Sequence, residues 1–215
     1  MAIYLNSYYP LEHTNFGRKA IEQFGFHPLV DGSIRREPDF EHPLSPISGL
    51  CRPGRMANFG PSDFVIYKTN RSHILTAILE IDRRFDDHQQ AANWLVENEY
   101  PIPTNNILSD PLPLDYSHAH RYMKTVGRRE KLDHAIHYHW NATYLDRASR
   151  PKSSYFFTTK SLYNAVVSKV NPDKYIYLGD LLRTHMGQIP RTNWRPEPIP
   201  TEVLDEILKL SKKGI

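Results

Sequence analysis

Two neighbouring apolar segments near the middle of the chain constrain its fold more than any other sequence feature. Residues 63–68 and 73–81 are rich in aliphatic and aromatic side chains, and only the polar residues 69–72 separate them. A link this short favours an antiparallel hairpin. The second segment is almost continuously apolar, as is typical of a strand covered on both faces. The sequence therefore predicts a sheet built around this hairpin.

The rest of the pattern predicts helices and strands around the hairpin. Apolar spacing and flanking residues predict strands at 2–8 and 155–159, and helices at 16–24, 86–99, 128–146, 162–170 and 201–213. Residues 175–178 fit either a strand or a helical turn, and 187–200 fit an extended segment. We therefore expect a single α+β domain over 1–215. Its small, mostly antiparallel sheet or barrel has a core at about 50–100 and 150–180, with surrounding helices and long ordered loops.

Composition excludes several classes of protein. The chain has 215 residues, of which 40% are apolar, well above a disordered chain. Its single cysteine, Cys51, excludes a disulfide framework and a multi-thiolate zinc site. No segment approaches the ~18–20 apolar residues of a membrane helix, and residues 1–6 do not resemble a signal peptide. We expect a cytoplasmic protein without membrane contact. Phosphate-binding glycine motifs are absent, so we expect no cofactor.

The distribution of charge favours nucleic acid as a partner. Lysine and arginine total 27 against 24 acidic residues, a small excess, but arginines recur in pairs. Arginine suits bidentate contacts with phosphates and bases, and the 13 Tyr, 9 Phe and 3 Trp residues suit stacking on bases. The C-terminal segment 187–196 fits a strip along a backbone or a tail that straps the core. The predicted nucleic-acid contacts are Arg35, Arg36, Arg52, Arg55, Arg191 and Trp194.

We interpret the proline- and glycine-rich stretch 26–62 as an ordered active or binding loop. It is too aromatic for disorder and too long for an ordinary connection. The adjacent Arg35 and Arg36 could hold phosphates on either side of a nucleotide. A carboxylate beside an extruded nucleotide can orient water and stabilise positive charge on the sugar. The candidate catalytic carboxylates are Asp31, Glu37 and Asp39, and the candidate base-stacking residues are Phe26, His27 and Phe40. An ion-pair network that fixes the loop explains the same charges.

The order of elements over 50–100 resembles the PUA-like barrels, including the ASCH and EVE groups. The resemblance rests on the basic segment 51–59, the turn Gly60-Pro61-Ser62-Asp63 into a strand, a second strand at 74–81, and a helix at 87–99. In that family a Gly-Asp pair forms the turn, whereas here the glycine stands three residues before Asp63. The resemblance implies a pocket for a flipped or modified base.

A second resemblance concerns residues 31–43, Asp-Gly-Ser-Ile-Arg-Arg-Glu-Pro-Asp-Phe-Glu-His-Pro. This segment is similar to a stretch in uncharacterised bacterial proteins associated with nucleotide modification and phage defence. The resemblance implies a setting of nucleotide modification or phage defence, and it brings no mechanism.

Three hypotheses for the function follow from these patterns. The first is a DNA glycosylase that flips a base, chiefly a modified one, and cleaves its N-glycosidic bond. The second is a non-catalytic PUA-like reader of modified bases in DNA or RNA. The third is a small nuclease that uses a histidine cluster, with or without a metal. That cluster consists of His118, His120, His134, His137 and His139. It matches no established metal-ligand spacing, so we expect no metal site.

Overall fold

A mixed sheet forms a half-barrel at the centre of the protein. The computed structural model describes residues 1–32, 38–49, 54, 57–103, 106–107, 109, 154–190 and 196–213. The strand order in the sheet is β2-β5-β4-β3-β1-β6. The strands are β1 (Ile3–Tyr8), β2 (Ile47–Ser48), β3 (Phe64–Thr69), β4 (Leu75–Phe85), β5 (Phe156–Asn164) and β6 (Glu197–Pro198). Helices pack around it, which confirms the α+β class.

The predicted hairpin is confirmed by the antiparallel pairing of β3 with β4. Ile66 faces Ile78 across the pair, and the turn closes with two hydrogen bonds between Thr69 and Ile74. Strand β4 continues four residues beyond the predicted end at Ile81. It does so because its last residues, up to Phe85, pair with β5 past a bulge. A partner distant in the chain thus extends the strand.

Strand β1 pairs with β3 in parallel, the one parallel pair among the strands that the structure describes. Parallel neighbours need a long crossover connection, and here residues 9–63 supply it. The crossover contains a 3₁₀ helix (Leu11–His13) and helix α1 (Asn15–Phe24). The Thr14 side chain caps α1 by accepting a hydrogen bond from the Gly17 N–H. Gly25, at φ 67°, ends the helix as predicted.

Helix α2 (His88–Glu97) and the C-terminal helix α4 (Thr201–Lys213) confirm two predictions, whereas the helix predicted at 162–170 is wrong. There β5 continues to Asn164, whose side-chain oxygen accepts hydrogen bonds from the N–H groups of Val166 and Val167. Those bonds form a turn instead of a helix. Helix α3 (Gly179–Met186) follows, and a second 3₁₀ helix (Pro172–Lys174) precedes it. The helix predicted at 128–146 lies outside the described residues.

Several described residues of the stretch 26–62 contribute side chains to the core. Leu29, Phe40, Ile47 and Phe59 are each buried. Phe59 makes an edge contact with Phe157 of β5 at 5.5 Å. These four side chains of the stretch therefore belong to the core. Among the helices that the structure describes, none combines the length and apolarity that crossing a bilayer requires.

The pairing of β4 on both sides predicts where truncation costs most. Ile78 is fully buried and paired with both Ile66 and Tyr163. We expect Ile78→Ala to lower the free energy of unfolding by about 2–5 kcal/mol, because it leaves a cavity at the centre of the sheet. Urea denaturation measures this loss. Val96→Ala, at a 60% exposed position, is the control and should change stability by less than about 0.5 kcal/mol. Equal losses in both variants would contradict the assigned core.

Candidate functional site

Polar and titratable side chains meet at one end of the half-barrel, where β1 and β5 end and β4 begins. Tyr8 is the last residue of β1, and its hydroxyl lies 2.6 Å from the Leu29 carbonyl oxygen and 2.8 Å from the Thr76 hydroxyl. Tyr163 of β5 stands opposite Ile78 of β4, two residues after Thr76. We define the tyrosine–acid cluster as Tyr8, Glu12, His27, Asp31, Tyr163 and Tyr175.

Backbone pairing holds Asp31 beside this end of the sheet. Asp31 forms an antiparallel bridge with Pro10, and the Gly32 N–H donates to the Tyr9 carbonyl at 2.8 Å. A Cβ atom at Gly32 would lie 2.9 Å from the Pro10 oxygen and 3.0 Å from the Tyr9 oxygen, so this close approach requires glycine. Asp31 is 4% exposed and its negative charge contributes to the raised pKa of Tyr8. The candidate catalytic carboxylate is therefore buried close to a tyrosine.

Burial sets the protonation of the tyrosines and of Glu12. The pKa of Tyr8 lies well above its ordinary value, first because of burial and then because of the charges of Asp31 and Glu12, which outweigh the hydrogen bond to Thr76. Burial also raises the pKa of Glu12. Burial, Glu12 and neighbouring tyrosines raise the pKa of Tyr175 to about 12. The cluster thus offers phenol groups that stay protonated and a carboxyl group that holds its proton more readily than usual.

His27 forms a neutral wall of the cluster. Its Nδ1 accepts a hydrogen bond from the Leu29 N–H at 3.2 Å, and its Nε2 lies 3.4 Å from the Val170 carbonyl oxygen. The ring is tilted against Tyr175 with 6.4 Å between centroids. Burial lowers the pKa of His27, and the contact with Val170 only partly opposes this. A neutral imidazole with an Nε2–H satisfies both contacts.

The other described residues predicted for the site lie in different surroundings. Phe40 is 2% exposed and packs against Tyr8 at 5.1 Å and Tyr67 at 5.4 Å between ring centroids, as a core side chain in this conformation. Phe26 is also buried. Asp39 is half-buried in a turn, where its Oδ1 accepts a hydrogen bond from the Glu41 N–H at 3.2 Å. The structure therefore brings Asp31, His27 and Phe40 around the cluster and places Asp39 in a local turn.

The remaining predicted site residues lie outside the described part of the chain, and their roles stay predictions. They are Arg35, Arg36, Glu37, Arg52, Arg55, Arg191 and Trp194, together with the histidines at 118, 120, 134, 137 and 139. Within the described residues, no three His, Cys, Asp or Glu side chains come together in a way that could hold a metal ion.

Sequence reasoning missed four members of the cluster: Tyr8, Glu12, Tyr163 and Tyr175. They belong to four separate segments, and no local spacing connects them. A polar or tyrosine residue at the end of a predicted strand was the one local feature that could have indicated membership of the cluster. Tyr8, at the end of the strand predicted at 2–8, has this feature. Tyr163 gave no such signal because its segment was predicted to be helical.

Comparison of the chain with protein-family models, with curated proteins and with solved structures gave no match.

Two tyrosine hydroxyls in the cluster generate a stability prediction. The hydroxyl oxygens of Tyr163 and Tyr175 are buried, and neither has a hydrogen-bond partner among the described residues. An unsatisfied buried hydroxyl costs about 1–3 kcal/mol. We therefore expect Tyr163→Phe to raise the free energy of unfolding by about 1 kcal/mol in urea denaturation. Tyr8→Phe, which removes a hydroxyl with two partners, should lower it. A loss in Tyr163→Phe would show that its hydroxyl has a partner.

The buried His27 generates a pH prediction. Its folded pKa lies below the 6.5 of an unperturbed histidine, so the unfolded chain takes up the proton first. Stability should fall as the pH drops below about 6.5, until the folded pKa is passed. His27→Gln should flatten the decrease in Tm between pH 7 and 5. Burial raises the pKa of Glu12 above its ordinary 4.5, so its effect has the opposite sign: Glu12→Gln should lose more stability than the wild type as the pH falls towards 4.5. An unchanged pH profile in both variants would contradict these shifts.

Proposed function

We propose that this protein binds DNA, accepts an extruded and modified base at the tyrosine–acid cluster, and cleaves its N-glycosidic bond. The observation that carries the proposal is the buried carboxylate of Asp31 beside the protonated Tyr8. Aromatic residues lie beside Tyr8, because Phe40 contacts the ring of Tyr8 and also that of Tyr67. A flat, apolar base with a few polar edges suits such surroundings.

The proposed reaction assigns a role to each carboxyl group. Asp31 orients a water molecule towards the sugar C1′ and stabilises the positive charge that develops there. The water oxygen forms a bond to C1′ and gives its surplus proton to Asp31. The C1′–N bond breaks, its electron pair goes to the base nitrogen, and a proton is delivered to the leaving base. Glu12 supplies that proton, because burial raises its pKa towards the working pH. The products are a free base and an abasic sugar.

The loop that follows Asp31 supports nucleic acid as the partner. Arg35 and Arg36 come four and five residues after Asp31. An extended chain spans at most about 3.6 Å per residue, so both arginine Cα atoms lie within about 18 Å of the Asp31 Cα atom. Arginine side chains at that range can reach the phosphates that flank a nucleotide at the cluster.

The same proposal includes the type of barrel to which the sheet belongs. A half-barrel with an antiparallel hairpin followed by a helix is compatible with the PUA-like order of elements. We therefore propose a PUA-like barrel in which the cluster takes the place of a base pocket.

A non-catalytic reader of modified bases is the second candidate function. One observation favours it: most of the cluster consists of groups that are neutral near pH 7, namely the tyrosines and His27. A reader needs only aromatic walls and neutral hydrogen-bonding groups. The difference between the two functions is the carboxylate of Asp31, so the experiment is built on that residue.

The first test compares genomic DNA from an unmodified phage with DNA from a hypermodified phage. The wild-type protein should produce alkali-dependent breaks on a denaturing gel with the modified DNA only. Asp31→Asn should reduce these breaks by at least about 100-fold, because it removes the charge that stabilises the sugar. Glu41→Gln, an exposed neighbour in the same segment, is the matched control and should cut like the wild type. Asp39→Asn tests the other described carboxylate that the sequence predicts.

Other results separate the hypotheses. Breaks that form without alkali would indicate a nuclease and contradict the glycosylase. Intact modified DNA that is shifted on a native gel would support the reader. Modified DNA that shows no breaks and no shift would contradict both candidates. Thermal melting of Asp31→Asn checks that lost cleavage is not lost folding.

A further inference from the structure

A second polar cluster lies on the opposite face of the sheet from Tyr8. Ser7 and Lys68 are register partners in the parallel β1–β3 pair, so their side chains share one face. Side chains alternate along a strand, so Tyr8 points to the other face. A ligand site at Lys68 therefore goes beyond the proposed function and does not rest on it.

Lys68 carries a buried positive charge that has no counter-ion among the residues that the structure describes. Its residue is 1% exposed, and its Nζ lies 2.8 Å from the Ser7 Oγ and 3.2 Å from the His73 Nδ1. Both partners are neutral acceptors, and no carboxylate among the described residues pairs with this ammonium group. Burial lowers the pKa of Lys68 to about 8, so the group is still mainly charged at pH 7. One of its three N–H donors remains after the two contacts.

Further basic groups surround the same point. Burial, the charge of Lys68 and the charge of Arg183 lower the pKa of His73, in that order. A Cβ atom added to Gly179 would lie 3.7 Å from the His73 Cδ2 and 3.9 Å from the Arg183 Nη1. The side chains of His73 and Arg183 therefore both border the space next to Gly179. Asp180 binds Arg183 at 2.7 Å on the exposed side. Among the described residues, no acidic group forms an ion pair with Lys68 itself.

Burial of an uncompensated ammonium group is unfavourable unless an anion joins it. We propose that Lys68, Ser7 and His73, with Arg183 at the entrance, bind the phosphate or carboxylate group of a small ligand. Lys68 would supply a charge-assisted hydrogen bond, and Ser7 and His73 would orient the ammonium group. A duplex backbone does not fit, because its phosphates cannot reach a side chain this deeply buried.

A ligand would enter the proposed site past His73. The His73 residue is half-buried, whereas the Arg183 side chain is 60% exposed. Gly179 leaves space between them, because it has no side chain. Gly179→Ala should therefore weaken binding by obstruction while leaving every charge in place.

Titration with inorganic phosphate tests the site. The His73 ring, assigned by comparison with His73→Gln, is followed by NMR across pH in the presence and absence of phosphate. We expect phosphate to raise the pKa of His73, because a bound anion offsets the charges that now lower it. In calorimetric titration, Lys68→Met should lose at least about tenfold in phosphate affinity. Lys174→Met, at an exposed lysine, should bind like the wild type.

Each outcome decides the proposal. The proposal would be overturned if phosphate left the pKa of His73 unchanged in the wild type. Equal phosphate affinity in the wild type and in Lys68→Met would also overturn it. If Lys68→Met fails to fold, the wild-type NMR titration and the affinity of Gly179→Ala still decide. Parallel titrations with acetate and with a mononucleotide distinguish a carboxylate ligand from a phosphate ligand.

Discussion

The pairing of β4 on both of its edges is the constraint on which the rest of the structure depends. This strand forms one ladder with β3, its neighbour in sequence, and a second with β5, which begins more than 70 residues after β4 ends. Central strands of this kind have both edges satisfied and both faces covered. The half-barrel, the ends of the flanking strands and therefore both polar clusters are positioned by these two ladders.

The parallel placement of β1 beside β3 gives the sheet two chemically different faces. Ser7 and Tyr8 are adjacent in sequence, yet they have different partners. Ser7 contacts Lys68, whereas Tyr8 contacts Thr76 and interacts electrostatically with Asp31. Strand alternation alone produces this division. Residues that are neighbours in the chain thus belong to separate polar clusters.

Both clusters contain groups whose burial is unfavourable by itself. Glu12, His27 and Lys68 each have a pKa shifted by burial towards the neutral form. The surrounding core of aliphatic and aromatic residues stabilises the fold enough to hold them there. Desolvated polar groups of this kind are typical of binding and catalytic sites, because their interactions with a ligand are stronger than in water.

The sequence by itself determined the hairpin, strand β1 and helices α1, α2 and α4, since apolar spacing and capping residues such as Thr14 and Asp87 act locally. It also singled out Asp31 and His27, which stand in an unusually long, charged loop. Only the tertiary structure decided the parallel β1–β3 pair, the full length of β5, the burial of Phe40 and Lys68, and the grouping of Tyr8 with Glu12 and Tyr175. The physical reason is distance along the chain. Local propensity says nothing about which residues far apart in sequence will exclude water from one another, and that exclusion sets both the fold's long-range pairing and the chemistry of its sites.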